Sequence, residues 1–274
     1  MPVKKDASGR RYVQAEVEVP GTPEQVWQAI ASGPGISSWF VPTSLEERVG
    51  GAAISNFGPG MDSVATITAW EPPHRFAAES ADETGPNGPP IATEWIVEAR
   101  SGGTCVVRVV HSWFATTDDW DNQFEGHEHG WQAFFRILRL YLSHFGGQPC
   151  SAFQLMGVAA EPTSTAWRGL TNSLGLAGAA VGQPVKTTSG VLPLAGQVQR
   201  LGESEYPELL IPLEEPAPGI AHLFALPMGG QVYLPIRIYL YGHGVSEVVA
   251  HHEPAWQAWL NAQFPADSDA STAV

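Results

Sequence analysis

The sequence predicts an α+β fold, an antiparallel meander followed by one long amphipathic C-terminal helix, built as two tandem units of which the second is degenerate. Three observations predict it. Between Leu45 and Phe114, segments of strand composition alternate with Gly- and Pro-rich turns. From Asp118 to Phe145 the apolar period changes to three and four. Landmarks of the first half then recur in the second.

Tyr12 to Val19 alternates polar Tyr12, Gln14, Glu16 and Glu18 with apolar Val13, Ala15, Val17 and Val19, the period of two of a half-buried strand. Thr22 then supplies an N-cap and Pro23 a first helical residue, and Val26, Trp27 and Ile30 form an apolar stripe on a short helix. Gly33-Pro34-Gly35 breaks that helix, and Ile36 to Phe40 reads as a second one. About five strands follow, the clearest being Val64–Trp70, Ile91–Ala99 and Thr104–Trp113, where β-branched and aromatic residues alternate with polar ones. Trp120, Phe124, His127, Trp131, Phe134, Phe135, Leu138, Leu142 and Phe145 place one long amphipathic helix over Asp118 to Phe145.

A shift of 140 residues carries Trp27 onto Trp167 and the strand Val13–Val19 onto Phe153–Ala159. His127-Glu128-x-x-Trp131-Gln132-Ala133 returns as His252-Glu253-x-x-Trp256-Gln257-Ala258. The expected organisation is therefore a first domain over 10–147, a divergent second unit over 150–265 and a disordered tail over 266–274. Gly175 to Gly190 is rich in small residues, and Pro193, Pro212, Pro227 and Pro235 suit strand edges and bulges. The last helix, read as Pro254–Phe264, spans about three turns. Cys150 reads as a linker residue.

Composition narrows the function. Apolar residues make up 43% of the 274, with 10 Trp and 11 Phe, ample for a core. Fourteen basic residues stand against 28 acidic ones, and a net charge of −14 repels phosphate backbones and anionic membranes. Neither nucleic acid nor a membrane is an expected partner. Two cysteines are too few for a disulfide framework, and Met1 to Arg11 lacks the apolar core of a signal peptide. A soluble, cytoplasmic protein is expected.

The order strand, two short helices, meander and long helix is joined by Thr22-Pro23-Glu24-Gln25-Val26-Trp27, Ile36-Ser37-Ser38-Trp39-Phe40, Gly50-Gly51 and Gly130-Trp131. Over roughly residues 10 to 147 it resembles the SRPBCC (START-like, helix-grip) superfamily, most nearly the bacterial relatives of the activator of heat-shock protein 90 ATPase. The resemblance implies a helix-grip fold, a curved antiparallel sheet wrapped around the long C-terminal helix, with a cavity between them that relatives use for lipids, hormones or polyketides. It also implies a heat-shock protein 90 homologue as an alternative partner, and a polyketide cyclase-like activity as an alternative chemistry. The loop Ala81 to Pro90 and the second unit depart from that branch.

Such a cavity favours an apolar or aromatic small molecule, because burying apolar surface is worth about 25 cal/mol per Å². Candidate lining residues are Trp39, Phe57, Trp70, Trp95, Trp113, Trp131 and Phe135, drawn from an aromatic set larger than a minimal core needs, together with Leu138 from the long helix. His111, on the strand ending in Trp113, is the candidate acid or base. No second residue visible in the sequence completes a triad with it. In Glu125-Gly126-His127-Glu128-His129 the two histidines point about 200° apart on a helix, unlike an i, i+4 ligand pair. No metal is expected there. His251-His252-Glu253 reads as ordering a helix entrance. There is no nucleophile elbow, phosphate loop, dinucleotide-binding turn or C-x-x-C, so no cofactor is expected.

Overall fold

The computed structural model describes residues 3–6, 9–58, 62–81, 89–113, 127–188 and 193–265, with the side chains of 127–129 outside that description. The chain divides into two compact units, Met1–Gln148 and Pro149–Val274. The predicted tail 266–274, the loop residues 82–88, the helix start 118–126 and the histidine-rich cluster at 125–129 fall outside the described residues or side chains.

In the first unit, β1 (Lys4–Lys5), β2 (Arg11–Pro20), β3 (Thr43–Leu45), β4 (Ala52–Asn56), β5 (Asp62–Glu71), β6 (Arg75–Ser80), β7 (Ile91–Arg100) and β8 (Thr104–Trp113) form one sheet. Its order is β1-β2-β8-β7-β6-β5-β4-β3, so the first long strand closes onto the last. All pairs are antiparallel, and the alternation read from Tyr12 to Val19 buries Val13, Ala15 and Val19 on one face. Helix α3 (His127–His144) packs against β2. Thus β3 to β8 make a meander that is carried around one helix.

Helix α1 (Pro23–Ala31) starts at Thr22 in a complete capping box with Gln25. The second short helix, α2, spans Gly33–Ile36 rather than Ile36–Phe40. Gly33-Pro34-Gly35 opens it instead of breaking the chain, because the Ser32 hydroxyl accepts from the Gly35 amide and Pro34 sits in the first turn, where no N–H is needed. A Cβ on Gly35 would lie 1.9 Å from the Gln28 carbonyl oxygen, so only glycine allows the two helices to meet this closely.

The second unit repeats the plan. β9 (Cys150–Ala159) is followed by α4 (Thr163–Leu174), β10 (Pro184–Lys186), β11 (Ala195–Gln197), β12 (Arg200–Leu201), β13 (Glu208–Glu215), β14 (Gly219–Phe224), β15 (Leu226–Met228), β16 (Gln231–Tyr241) and α5 (Val245–Gln263). The sheet runs β10-β11-β13-β14-β16-β9, with β12 beside β13 and β15 beside β16. Strand β9 thus lies against β16 as β2 lies against β8. Trp27 and Trp167 are each the fifth residue of the helix that follows the first long strand. Trp27 to Trp167 is an offset of 140 residues and His127 to His252 one of 125. The 15 residues lost between these landmarks correspond to one strand with its turn, since β10, β11, β13, β14 and β16 stand where the first unit has six strands.

Several local expectations are corrected here. Helix α5 begins at Val245, not Pro254, and His251-His252-Glu253 lies in its middle rather than at its entrance. Buried Val245, Val249, Trp256 and Leu260 hold it against the sheet, enough to carry the helix through a proline that removes one backbone hydrogen bond. Cys150 is the first residue of β9, paired with Tyr241, and not part of a linker. Pro227 does lie on the short strand β15. Pro212 and Pro235 are in central strands, at positions where one neighbour ends and the next begins. Pro212 falls between the stretches of β13 paired with β12 and with β11, and Pro235 between those of β16 paired with β15 and with β14. A missing N–H is tolerated at such a gap.

Candidate functional site between sheet and helix

The site lies on the helix-facing side of the first unit, near the N-terminal turns of α3. Cross-strand register puts Val13 opposite His111, His111 opposite Thr93, and Trp95 opposite Val109. Thr93, Trp95, His111 and Trp113 therefore share one face. Trp131, on α3, reaches that face. Its indole Nε1 donates to His111 Nε2 at 2.6 Å, and His111 Nδ1 lies 2.9 Å from Thr93 Oγ1. An indole N–H can only donate, so Nε2 is the acceptor and the neutral imidazole carries its proton on Nδ1, directed to the threonine hydroxyl. His111 is 7% exposed.

The rings around this chain touch one another. Phe40 stacks on Trp131 at 5.2 Å with 6° between planes, Trp95 meets Trp131 edge-on at 5.1 Å, and Phe135 lies 5.7 Å from it. Phe40 also contacts Phe134 at 4.3 Å and Phe57 at 5.7 Å. These are the spacings of favourable aromatic pairs.

Of the residues named from sequence, Trp39, Phe57 and Trp131 touch Phe40, and Trp95 and Phe135 join them through Trp131. Trp39 is completely buried and its Nε1 donates to the Ala29 carbonyl at 2.8 Å, so it holds α1 rather than offering a free donor. Leu138 is fully buried on α3. Trp70 stands apart with Trp27 at 5.1 Å and Phe76 at 5.5 Å, joined to the main group through the Phe76–Trp95 stack. Trp113 packs with Val13 and Ile91, one register step beyond His111. Thr93 and the central role of Phe40 were not singled out by sequence. Thr93 carries no signal of its own, because its meaning depends on which residue of β8 it faces.

The second unit provides an internal control. Superposing the registers, with Val13 on Phe153, places Ile238 where the first unit has His111, Ala221 for Thr93, Leu223 for Trp95, Leu240 for Trp113 and Leu209 for Phe76. Only Trp256, the counterpart of Trp131 in the repeated motif, remains aromatic at these positions.

Polar chemistry in the second unit occupies the alternate positions instead. Glu208 is 8% exposed and binds Arg200 and, at 3.2 Å, His222 Nε2. His222 stacks on Phe224, over which Arg237 lies at 4.7 Å while donating through Nε to Gln154 at 2.7 Å. Burial lowers the Arg237 pKa to about 10 and raises that of Tyr239. The Cys105 thiol is likewise pushed up by burial, with Glu24 adding to the effect, which makes it a poor nucleophile. Among the described residues no group of three or more His, Cys, Asp or Glu could hold a metal ion, and no helix is long and apolar enough to cross a membrane.

Residues 20–143 match the family model described as Activator of Hsp90 ATPase homolog 1-like protein. Among solved structures the chain is similar to BexL, a di-domain ARO/CYC from the BE-7585A biosynthetic pathway, at 14% identity over 93% of this chain and 99% of that one, with a TM-score of 0.44. DynU16, from the dynemicin biosynthetic locus, is 16% identical over 92% and 96%, with a TM-score of 0.41. The Aha1 dimer from Colwellia psychrerythraea is 20% identical over 50% of this chain and 98% of that one, with a TM-score of 0.40. No curated protein matches the chain. With its first strand closed onto its last, a final helix held against the sheet, and this family match over residues 20–143, the N-terminal unit has a helix-grip fold and is similar to that family, and a second, divergent unit of the same plan follows it.

Proposed function

We propose that the first unit binds an apolar or aromatic small molecule between its sheet and α3. The observation that carries this reading is the contrast at equivalent positions: the fold closes its core with Ile238, Ala221 and Leu223 in one unit, yet keeps His111, Thr93 and Trp95 in the other. A buried polar group costs free energy unless it is matched, so a polar and aromatic lining that the architecture does not require points to a ligand. His111, with both ring nitrogens engaged, serves this site as a hydrogen-bond acceptor rather than as a free base. Native mass spectrometry of freshly purified protein, combined with displacement of a fluorescent apolar probe by lipids and aromatic compounds, tests it. A copurified molecule or a displaceable probe is expected, and the absence of both overturns the reading.

A second reading, favoured by the family match, is a co-chaperone that stimulates the ATPase of a heat-shock protein 90 homologue. The acidic surface suits a basic partner. Stimulated ATP turnover on adding this chain supports it, and no binding together with no stimulation removes it.

A further inference from the structure

Trp131 is placed as a ligand of this site would be. Its flat ring lies against Phe40 and His111, its edge meets Trp95, and its single polar atom donates to the ring nitrogen His111 Nε2. Yet Trp131 is only half-buried, while Trp39, Trp95 and Phe135 around it are buried. It sits in the second turn of α3, and its side chain can change rotamer without moving the helix. In the second unit the counterpart Trp256 is 2% exposed and Ile238 occupies the acceptor's position, so that indole has no such acceptor to latch onto.

We propose that Trp131 is a built-in surrogate ligand: a latch that fills the site until an aromatic molecule carrying an O–H or N–H donor displaces it and takes over the bond to His111. This rests on the reading that the first unit binds a small molecule, and it narrows the ligand class. Carboxylates and phosphates are disfavoured, because a neutral imidazole Nε2 accepts a hydrogen bond and repels a second acceptor. Purely hydrocarbon ligands are disfavoured too, since displacing the indole N–H would leave that nitrogen buried without its bond.

The geometry also assigns a direction to mutation. A closed latch reduces apparent affinity by the fraction of molecules that are open, and minor states of this kind are populated at roughly 0.1–10%. Trp131→Ala should therefore bind 2-naphthol or indole at least about tenfold more tightly than the wild type, whereas loss of an ordinary contact residue weakens binding. In Trp131→Ala, 2-naphthol should exceed naphthalene by about five- to tenfold, the worth of one hydrogen bond. Adding His111→Leu should collapse that preference, so that naphthalene binds at least as well. Trp131→Phe removes the donor and keeps a smaller aromatic ring; it should bind 2-naphthol more tightly than wild type and less tightly than Trp131→Ala, and it serves if the alanine variant does not fold.

Calorimetric titration of the full chain with indole, 2-naphthol and naphthalene reads these outcomes. If neither Trp131 variant binds 2-naphthol more tightly than wild type, or if naphthalene equals 2-naphthol in Trp131→Ala with His111 intact, the latch is overturned. If wild type displaces apolar probes while that result holds, only the latch falls; if no protein binds any probe, the binding function falls with it.

Discussion

The two units share a strand order and a final helix but close their cores differently. In the second, 23 buried residues, nearly all aliphatic, form one cluster in which α4 and α5 lie against β9 and β16. In the first, the corresponding space is held by interlocked aromatic rings around a buried histidine. Position 17 marks the divergence. Val17 of β2 corresponds to Gly157 of β9, and a Cβ there would approach Phe264 to 3.2 Å and Leu260 to 3.4 Å. Removing one side chain from the strand lets the end of α5 settle directly on the sheet. One architecture therefore closes its core in two ways, and on the proposed function the lining positions, not the helix-grip plan alone, decide which unit binds a ligand.

The comparison can be broken or sharpened by mutation. Leu223→Ala removes a wholly buried side chain from the aliphatic core and should destabilise the second unit by about 3 to 5 kcal/mol, leaving probe binding by the first unit intact. Hydrogen exchange resolved by unit measures it, and a loss of protection in the first unit instead would contradict the division. Gly157→Val restores the first unit's residue and should cost about 1 to 3 kcal/mol by forcing Phe264 aside, read as a lowered unfolding midpoint. Converting the first unit toward the second with His111→Ile and Thr93→Ala removes both members of a polar pair. Stability should change by less than about 2 kcal/mol while preference for donor-bearing aromatics disappears in titration.

Helix starts offer a smaller contrast. Thr22→Ala should cost about 1 kcal/mol by removing the capping box of α1, whereas α4 begins at Pro162 with no side-chain cap, so Pro162→Ala should change the unfolding midpoint little. The smallest effect is on pH. Burial, reinforced by His251, lowers the His252 pKa below 6.5, and its Nδ1 meets no partner among the described residues. The unfolded chain then takes up a proton that the folded one resists, so this contribution is present above pH 6.5 and is lost as pH falls through the lowered folded value. His252→Gln should flatten the acid side of the stability profile measured by thermal unfolding.

Much of the fold was legible because it is local. The alternation of Tyr12 to Val19, the cap at Thr22 and the tandem tryptophans report on neighbours in sequence. Sequence and structure part where packing overrules local preference: Pro254 has the local character of a helix start, yet the buried residues Val245, Val249, Trp256 and Leu260 carry one helix across it. The site was legible as a composition but not as a geometry. His111, Thr93 and Trp131 meet only because β7, β8 and α3 adopt one register, and a slip of one residue would turn His111 to the opposite face.

That β2 pairs with β8 has a consequence for how the chain is made. Pro20 finds its partner at Thr104 and Arg11 at Trp113, so during synthesis the first long strand must wait for nearly the whole unit before its edge is covered. β9 waits for β16 in the same way. Such distant closures slow folding and leave unpaired strand edges exposed meanwhile, making the interval before β8 emerges the point at which the edge of β2 is most open to mispairing with another nascent chain.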